Sequence, residues 1–336
     1  MNHELTVLTA LPEGFFDFDA TDILEYFPEP SLIKLEGRKS PPIFVSILLH
    51  GNEISGLKTM QALLKKYDTG LPRELYLFIG NVQAASEGKR VLSGQVDYNR
   101  CWPGTSLPSR FETDLMQAVV DQVTGGPLFA AIDLHNNTGL NPHYAGISQV
   151  NPETQFLASL FNHMALVIKW PRGISIMAFD DICPAVVLEC ARPGDKQGIK
   201  HALELVDAVM HLDHFPERPP LPQDLQLLKT LATINIADQV SFNFDPHIAR
   251  DINFNENLDH WNFSVINPDQ SFAKTRVTSP LRATDQHGKD ITDDIIRVDD
   301  GQIYLKQTCV PAMISMDEAI VLQDCLCHLL VDDQNS

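Results

Sequence analysis

The chain has 336 residues, 44 of them acidic and 25 basic, for a formal charge of −19. That balance argues against a nucleic-acid or anionic-membrane partner, because both bind through clustered Lys and Arg. A hydrophobic fraction of 44% fits a soluble globular protein with a sizeable core, and no segment approaches the ~20 apolar residues that span a bilayer.

The first residues, MNHELTVLTALPEGFFDFD, lack a basic region followed by an apolar stretch, so no signal peptide is expected. Residues 43–49 (IFVSILL) are rich in branched side chains, the pattern of a buried strand. Residues 55–67 follow with Leu57, Met60, Leu63 and Leu64 at helical spacing. Further along, the pattern predicts a strand over 74–79, a helix over 111–123, a strand over 129–134, a helix over 153–166, a strand over 185–189 and a helix over 197–212. Strands alternating with helices predict an α/β fold with a mixed, mostly parallel sheet and helices on both faces.

Between His214 and Pro222, four prolines fall within nine residues. Such a run cannot continue a helix and reads as a stiff linker. Beyond it, 230–236, 239–244, 271–277 and 303–310 read as short strands. The expected division is therefore a catalytic α/β domain over 1–215 and a smaller β-rich C-terminal domain over 223–336. The six cysteines (Cys101, Cys183, Cys190, Cys309, Cys325 and Cys327) form no C-x-x-C pair. They are expected as small buried residues in a reducing cytoplasm. Homo-oligomerisation is left open.

Three apolar runs end in metal-capable or acidic residues followed by turn residues. They lead to His50-Gly51-Asn52-Glu53, to His135-Asn136-Asn137-Thr138-Gly139, and to Glu189. In open α/β sheets ligands bind beyond the carboxyl ends of the strands, so these side chains converge if the strands are neighbours. Two His and one carboxylate form a catalytic zinc set with a position left open. His50, Glu53 and His135 are thus the expected ligands of one Zn2+ per chain, with Gly51 easing the turn. Glu189 is the expected general base, and Asp133 is placed to back His135. Each feature alone has a plainer reading: a capping pair, a core histidine, or the first exposed residue past a strand. Their conjunction carries the argument. Arg90 and Asn99-Arg100 fall in the loop after the second strand, and a guanidinium makes fork-shaped bonds to carboxylates.

The stretches His50-Gly51-Asn52-Glu53, Asn81 through Asp97-Tyr98-Asn99-Arg100, Asp133 through Thr138 and Val187-Leu188-Glu189 resemble the succinylglutamate desuccinylase/aspartoacylase family of carboxypeptidase-like zinc hydrolases. The resemblance implies His50, Glu53 and His135 as zinc ligands and Glu189 as base. It implies Asn99 and Arg100 as the grip on a substrate carboxylate and Arg90 as the arginine that polarises the scissile carbonyl. Arg90 stands farther from Asn99 than the family's interval. Tyr144 and Arg192 are candidates for recognising the substrate's side chain. The implied reaction is hydrolysis of the amide bond of a small N-acyl amino acid. The alternatives are a metallocarboxypeptidase-type peptidase or amidase, and a zinc-binding protein without catalysis. Retention of Glu189 and the Asn99-Arg100 pair speaks against the last.

Overall fold

The computed structural model describes residues 5–333 apart from 68, 138, 246 and 324. It divides into two compact units, one running to residue 136 and over 143–226, the other comprising 137–142 and the chain from 227 onward.

Runs of branched and aromatic residues set the strands of the first unit. Among the described residues these are β1 (Thr6–Leu8), β2 (Ser31–Leu35), β3 (Ile43–Ile47), β4 (Leu75–Ile79), β5 (Ala130–His135), β6 (Tyr144–Ile147), β7 (Met164–Val167) and β8 (Ala185–Glu189), ordered β1-β2-β4-β3-β5-β8-β6-β7. The central strands β4, β3, β5 and β8 are parallel, while β2 and β6 run antiparallel to β4 and β8. Every residue of β3 and β5 is buried. That is why these strands read as largely apolar runs, interrupted by Ser46 in β3 and by Asp133 and the terminal His135 in β5, rather than as alternations.

The unit's helices are α1 (Ser55–Lys66), α2 (Val82–Ser86), α3 (Phe111–Val123), α4 (Pro152–Ser159) and α5 (Lys196–His211). On one sheet face α1 packs beside α5. It buries Leu57, Met60, Leu63 and Leu64 completely or nearly so, each worth roughly 1.5–3 kcal/mol. A Cβ on Gly56 would stand 2.9 Å from Ile47 Cγ2, so this helix lies close against β3. The other face packs Phe44, Phe78, Ala131 and Val187 against Leu115, Met116 and Val119 of α3. Helices therefore cover both faces of a mixed, largely parallel sheet.

In this unit one expected element is corrected. The helix predicted over 153–166 ends at Ser159, and β7 begins at Met164. Residues 164–167 alternate between half-buried and buried and pair in parallel with β6. Asn162 donates its side-chain amide to His143 O at the break. Sheet pairing overrides a helix-like spacing that weak propensity alone would have allowed.

The second unit contains β9 (Gln226–Ile236), β10 (Phe242–Asn243), β11 (Ile252–Phe254), β12 (Ser271–Thr275), β13 (Leu281–Thr284), β14 (Ile296–Asp299), β15 (Gln302–Leu305), β16 (Val310–Ala312) and β17 (Cys327–Asp332), with α6 (Thr292–Ile295) and α7 (Glu318–Gln323). β9 pairs antiparallel with β13 and β17, and β17 with β16. A five-stranded sheet has the order β10-β11-β12-β15-β14. The unit's core includes Ile234, Phe254, Phe272, Ile303 and Leu326. The strand expected over 239–244 shrinks to two residues, and that over 303–310 splits into β15 and β16.

Candidate metal centre and active site

The parallel strands deliver their carboxyl ends to one place. After β3, Leu48 takes a positive φ of 55° and turns the chain toward His50. After β8, Ala191 takes φ 56° just beyond Glu189. A non-glycine residue in this region is strained by about 1–3 kcal/mol, and such strain gathers at functional sites. β5 ends on His135 itself, whose register partner on β8 is Glu189.

His50, Glu53 and His135 are all buried, with one ligand atom of each lying within 4.8 Å of the others. Both histidines turn Nδ1 toward the same carboxylate. His50 Nδ1 lies 2.7 Å from Glu53 Oε1, and His135 Nδ1 lies 2.8 Å from Glu53 Oε2. The outer nitrogens also have carboxylate partners: His50 Nε2 meets Asp97 Oδ1 at 2.8 Å, and His135 Nε2 meets Asp133 Oδ2 at 2.8 Å. A carboxylate on the far nitrogen fixes the imidazole tautomer and ring orientation that a metal-binding histidine requires. Burial pushes the His135 imidazole down, but Asp133 and Glu53 outweigh it and hold it well above its usual pKa. For Glu53, burial pushes up, yet the two histidines bring the carboxyl well below the usual range. Two inward Nδ1 atoms around an ionised carboxylate, in a pocket rich in negative charge, fit a divalent cation such as zinc.

Several supports were not legible as such. Asn136 Nδ2 donates to Ser55 Oγ (2.9 Å) and Ala191 O (2.9 Å), while its Oδ1 accepts from Ser55 N (3.1 Å). Its own N–H donates to Glu53 Oε2 at 3.0 Å. One buried amide thus ties three strand exits together and caps α1. Asp97 sat in a motif noticed for its Asn-Arg pair, and its partnership with His50 had no sequence signal besides that. Gly51 is needed for a reason other than ease of bending. A Cβ there would lie 2.1 Å from Ala85 N, so the turn presses on the backbone of α2.

Glu189 Oε2 is buried and lacks a hydrogen-bond partner among the described residues. Burial raises this carboxyl, and the nearby Glu53 adds to the shift against His135, leaving it at about 7. Arg90 is half exposed and reaches the site's edge, donating from Nη1 to Glu53 Oε1 (3.0 Å) and from Nη2 to Asp97 Oδ2 (3.3 Å). Its longer spacing from Asn99 does not keep it away.

Asn99 is more committed than expected. Its Oδ1 accepts from Ser175 N at 2.9 Å, and its Nδ2 lies 3.3 Å from His135 Nε2. Arg100 donates from Nη1 to Asn99 O at 2.8 Å and is partly exposed. Tyr144 is buried opposite Glu189 on β6. Burial, then Glu189 and Glu53, raise its hydroxyl well above the usual value. Arg192 lies on the exposed turn after β8. Thr138 lies outside the described residues.

Fold and site together define a mixed α/β protein with a buried His-Glu-His centre at the carboxyl ends of its parallel strands. Residues 41–167 match the family model of the succinylglutamate desuccinylase/aspartoacylase catalytic domain, so the recognition made from the motifs holds over that segment. No curated protein matches the chain. Solved structures share its fold. A succinylglutamate desuccinylase/aspartoacylase from Rhodobacter sphaeroides aligns with a TM-score of 0.61 at 10% identity, covering 89% of this chain and 88% of its own. A succinylglutamate desuccinylase from Vibrio parahaemolyticus gives 0.59 at 11%, covering 90% and 86%. Murine aminoacylase 3 gives 0.51 at 14%, covering 88% and 97%.

Proposed function

We propose that the chain is a zinc-dependent amidohydrolase that cleaves the amide bond of a small N-acyl amino acid. The observation that carries this reading is the buried Glu189 Oε2, left without a hydrogen-bond partner beside the His50-Glu53-His135 trio. A buried carboxylate oxygen with no partner is costly, and a base waiting for a water proton explains the cost. The match of residues 41–167 to the family's catalytic domain supports the same chemistry.

Zinc held by His50, Glu53 and His135 supplies, when bound, Lewis-acid polarisation of a carbonyl and a lowered pKa for water. Glu189 accepts the proton of the attacking water and returns it to the leaving amine nitrogen. Arg90 exchanges its bonds to Glu53 and Asp97 for the oxygen of the tetrahedral species, where charge develops. Arg100 keeps Nη2 and Nε for a substrate carboxylate, and Asn99 Nδ2 stands beside it as a second donor. Holding that carboxylate orients the acyl group. Tyr144 and Arg192 are proposed to meet the rest of the substrate, Tyr144 from within the pocket and Arg192 from its rim.

We assign the catalytic role to the first unit and carry the cytoplasm as the compartment, since Cys101, Cys183, Cys190, Cys309 and Cys327 are thiols. Among the described residues no helix is long and apolar enough to cross a membrane. The deciding experiment is a hydrolysis screen of the zinc-loaded protein against N-acetyl, N-succinyl and N-formyl amino acids, with dipeptides as controls. Turnover of one acyl class well above dipeptides is expected. Preference for dipeptides would make it a peptidase, and bound zinc without any hydrolysis would make it a binding protein.

A further inference from the structure

A closed circuit of hydrogen bonds runs through both imidazoles. Ser175 N–H donates to Asn99 Oδ1 (2.9 Å), and Asn99 N–H donates to Asp97 Oδ1 (2.8 Å). Asp97 Oδ1 meets His50 Nε2 (2.8 Å), and Glu53 bridges the two Nδ1 atoms (2.7 and 2.8 Å). His135 Nε2 meets Asp133 Oδ2 (2.8 Å), and that same oxygen accepts the Ser175 hydroxyl. The circuit therefore closes on one residue. Ser175 serves the His50 arm with its backbone N–H and the His135 arm with its side chain.

Its place is fixed from both directions. Just before it, Gly173 O accepts from Trp102 N (3.0 Å), and a Cβ on Gly173 would stand 2.5 Å from Arg100 O. Just after it, the 3-10 helix Ile176–Phe179 buries Ile176 and Phe179 in the core. Ser175 is only 2% exposed. On Asp133 the hydroxyl complements Ser46, which donates to Oδ1 at 2.7 Å. With both donors present, the carboxylate cannot swing away from Nε2. The cavity beside it is lined by Phe44, Ala131, Ile132, Ile176 and Phe179 together with Ser46 and Asp133.

We infer that Ser175 is a positioning residue that sets the separation of the two imidazole ligands, holding His135 through Asp133 and His50 through Asn99 and Asp97. This rests on the metal reading above. Carboxylates behind metal histidines control metal affinity, and Ser175 controls where one such carboxylate points.

The test measures zinc Kd of the full chain by competition with a chelator for wild type, Ser175→Ala, Asp133→Asn and the double variant, with the Tm of each metal-free protein. Ser175→Ala keeps the backbone N–H, so it loosens the His135 arm alone. It is expected to weaken zinc about tenfold, within the 10–100-fold range of such supporting groups. In the Asp133→Asn background the same change should cost less than about threefold, because contacting residues in one network are not additive. Ser175→Cys keeps the volume but donates weakly, and should shift Kd the same way with Tm near wild type. A purely structural role would lower the metal-free Tm and act equally in both backgrounds, which overturns the inference. So would a Ser175→Ala Kd equal to wild type. Absence of zinc binding in the wild type would instead remove the metal reading itself.

Discussion

The buried trio His50, Glu53 and His135 and the arginines proposed to form the rim around it are built differently. His50, Glu53 and His135 are buried, and both nitrogens of each imidazole face a carboxylate. Arg100 is partly exposed and Arg90 and Arg192 more so, and Arg90 donates to the site's own carboxylates, Glu53 and Asp97. The contrast teaches which part of the chemistry is preorganised. The centre is held by hydrogen bonds before any ligand arrives, the preorganisation from which the proposed metal site would gain its affinity. The rim holds long cationic side chains whose contacts would have to exchange for the proposed substrate to bind.

The contrast breaks first at the centre. His50→Ala should take bound zinc from about one equivalent per chain to background, since a three-ligand site loses an imidazole. Elemental analysis after dialysis decides it, and full retention would remove His50 from the ligand set. Glu189→Gln should keep the zinc and lower kcat by roughly 10²–10⁴, the usual contribution of a general base. Near-normal turnover would reassign the base.

Legibility followed the same division. Largely apolar runs at 43–49, 129–134 and 185–189 marked the central strands, because strands covered on both faces are mostly apolar. The α1 face was equally plain from Leu57, Met60, Leu63 and Leu64. β7 was hidden, since 164–167 continues a helix-like spacing and only pairing with β6 decides it. In the second unit, short strands such as β10 and β16 are set by partners distant in sequence, so local pattern could not bound them. At the site, metal-capable residues at strand ends were readable. The supporting contacts from Asn136, Asp97 and Ser175 were not, because they join residues up to 83 positions apart in sequence.

Two substitutions sharpen the contrast at its boundary. Gly51→Ala drives a Cβ into the backbone at Ala85 and should cost about 3 kcal/mol or more, as backbone cannot yield as a side chain does. A fall in Tm of several degrees, with weakened zinc, is the expected reading in thermal unfolding. An unchanged Tm would show that the turn can move off α2. Asp97→Asn removes a charge from behind His50 and one partner of Arg90. Zinc Kd should rise by 10–100-fold with the fold intact, and an unchanged Kd would make Asp97 a rim residue only.

The smallest effect belongs to the rim proper. Arg100 is partly exposed and spends one N–H on Asn99 O, so water screens what it offers a substrate carboxylate. A charge-assisted bond there is worth about 1.5 kcal/mol at the low end of its range, which is roughly tenfold in affinity. Arg100→Ala should therefore raise KM about tenfold for substrates with a free α-carboxylate and leave kcat and zinc content near wild type. On the matching α-carboxamides the variant and wild type should be equal. An equal loss on both substrates would mean that Arg100 acts by holding the Asn99 turn against the centre, and the rim would then belong to the preorganised region after all.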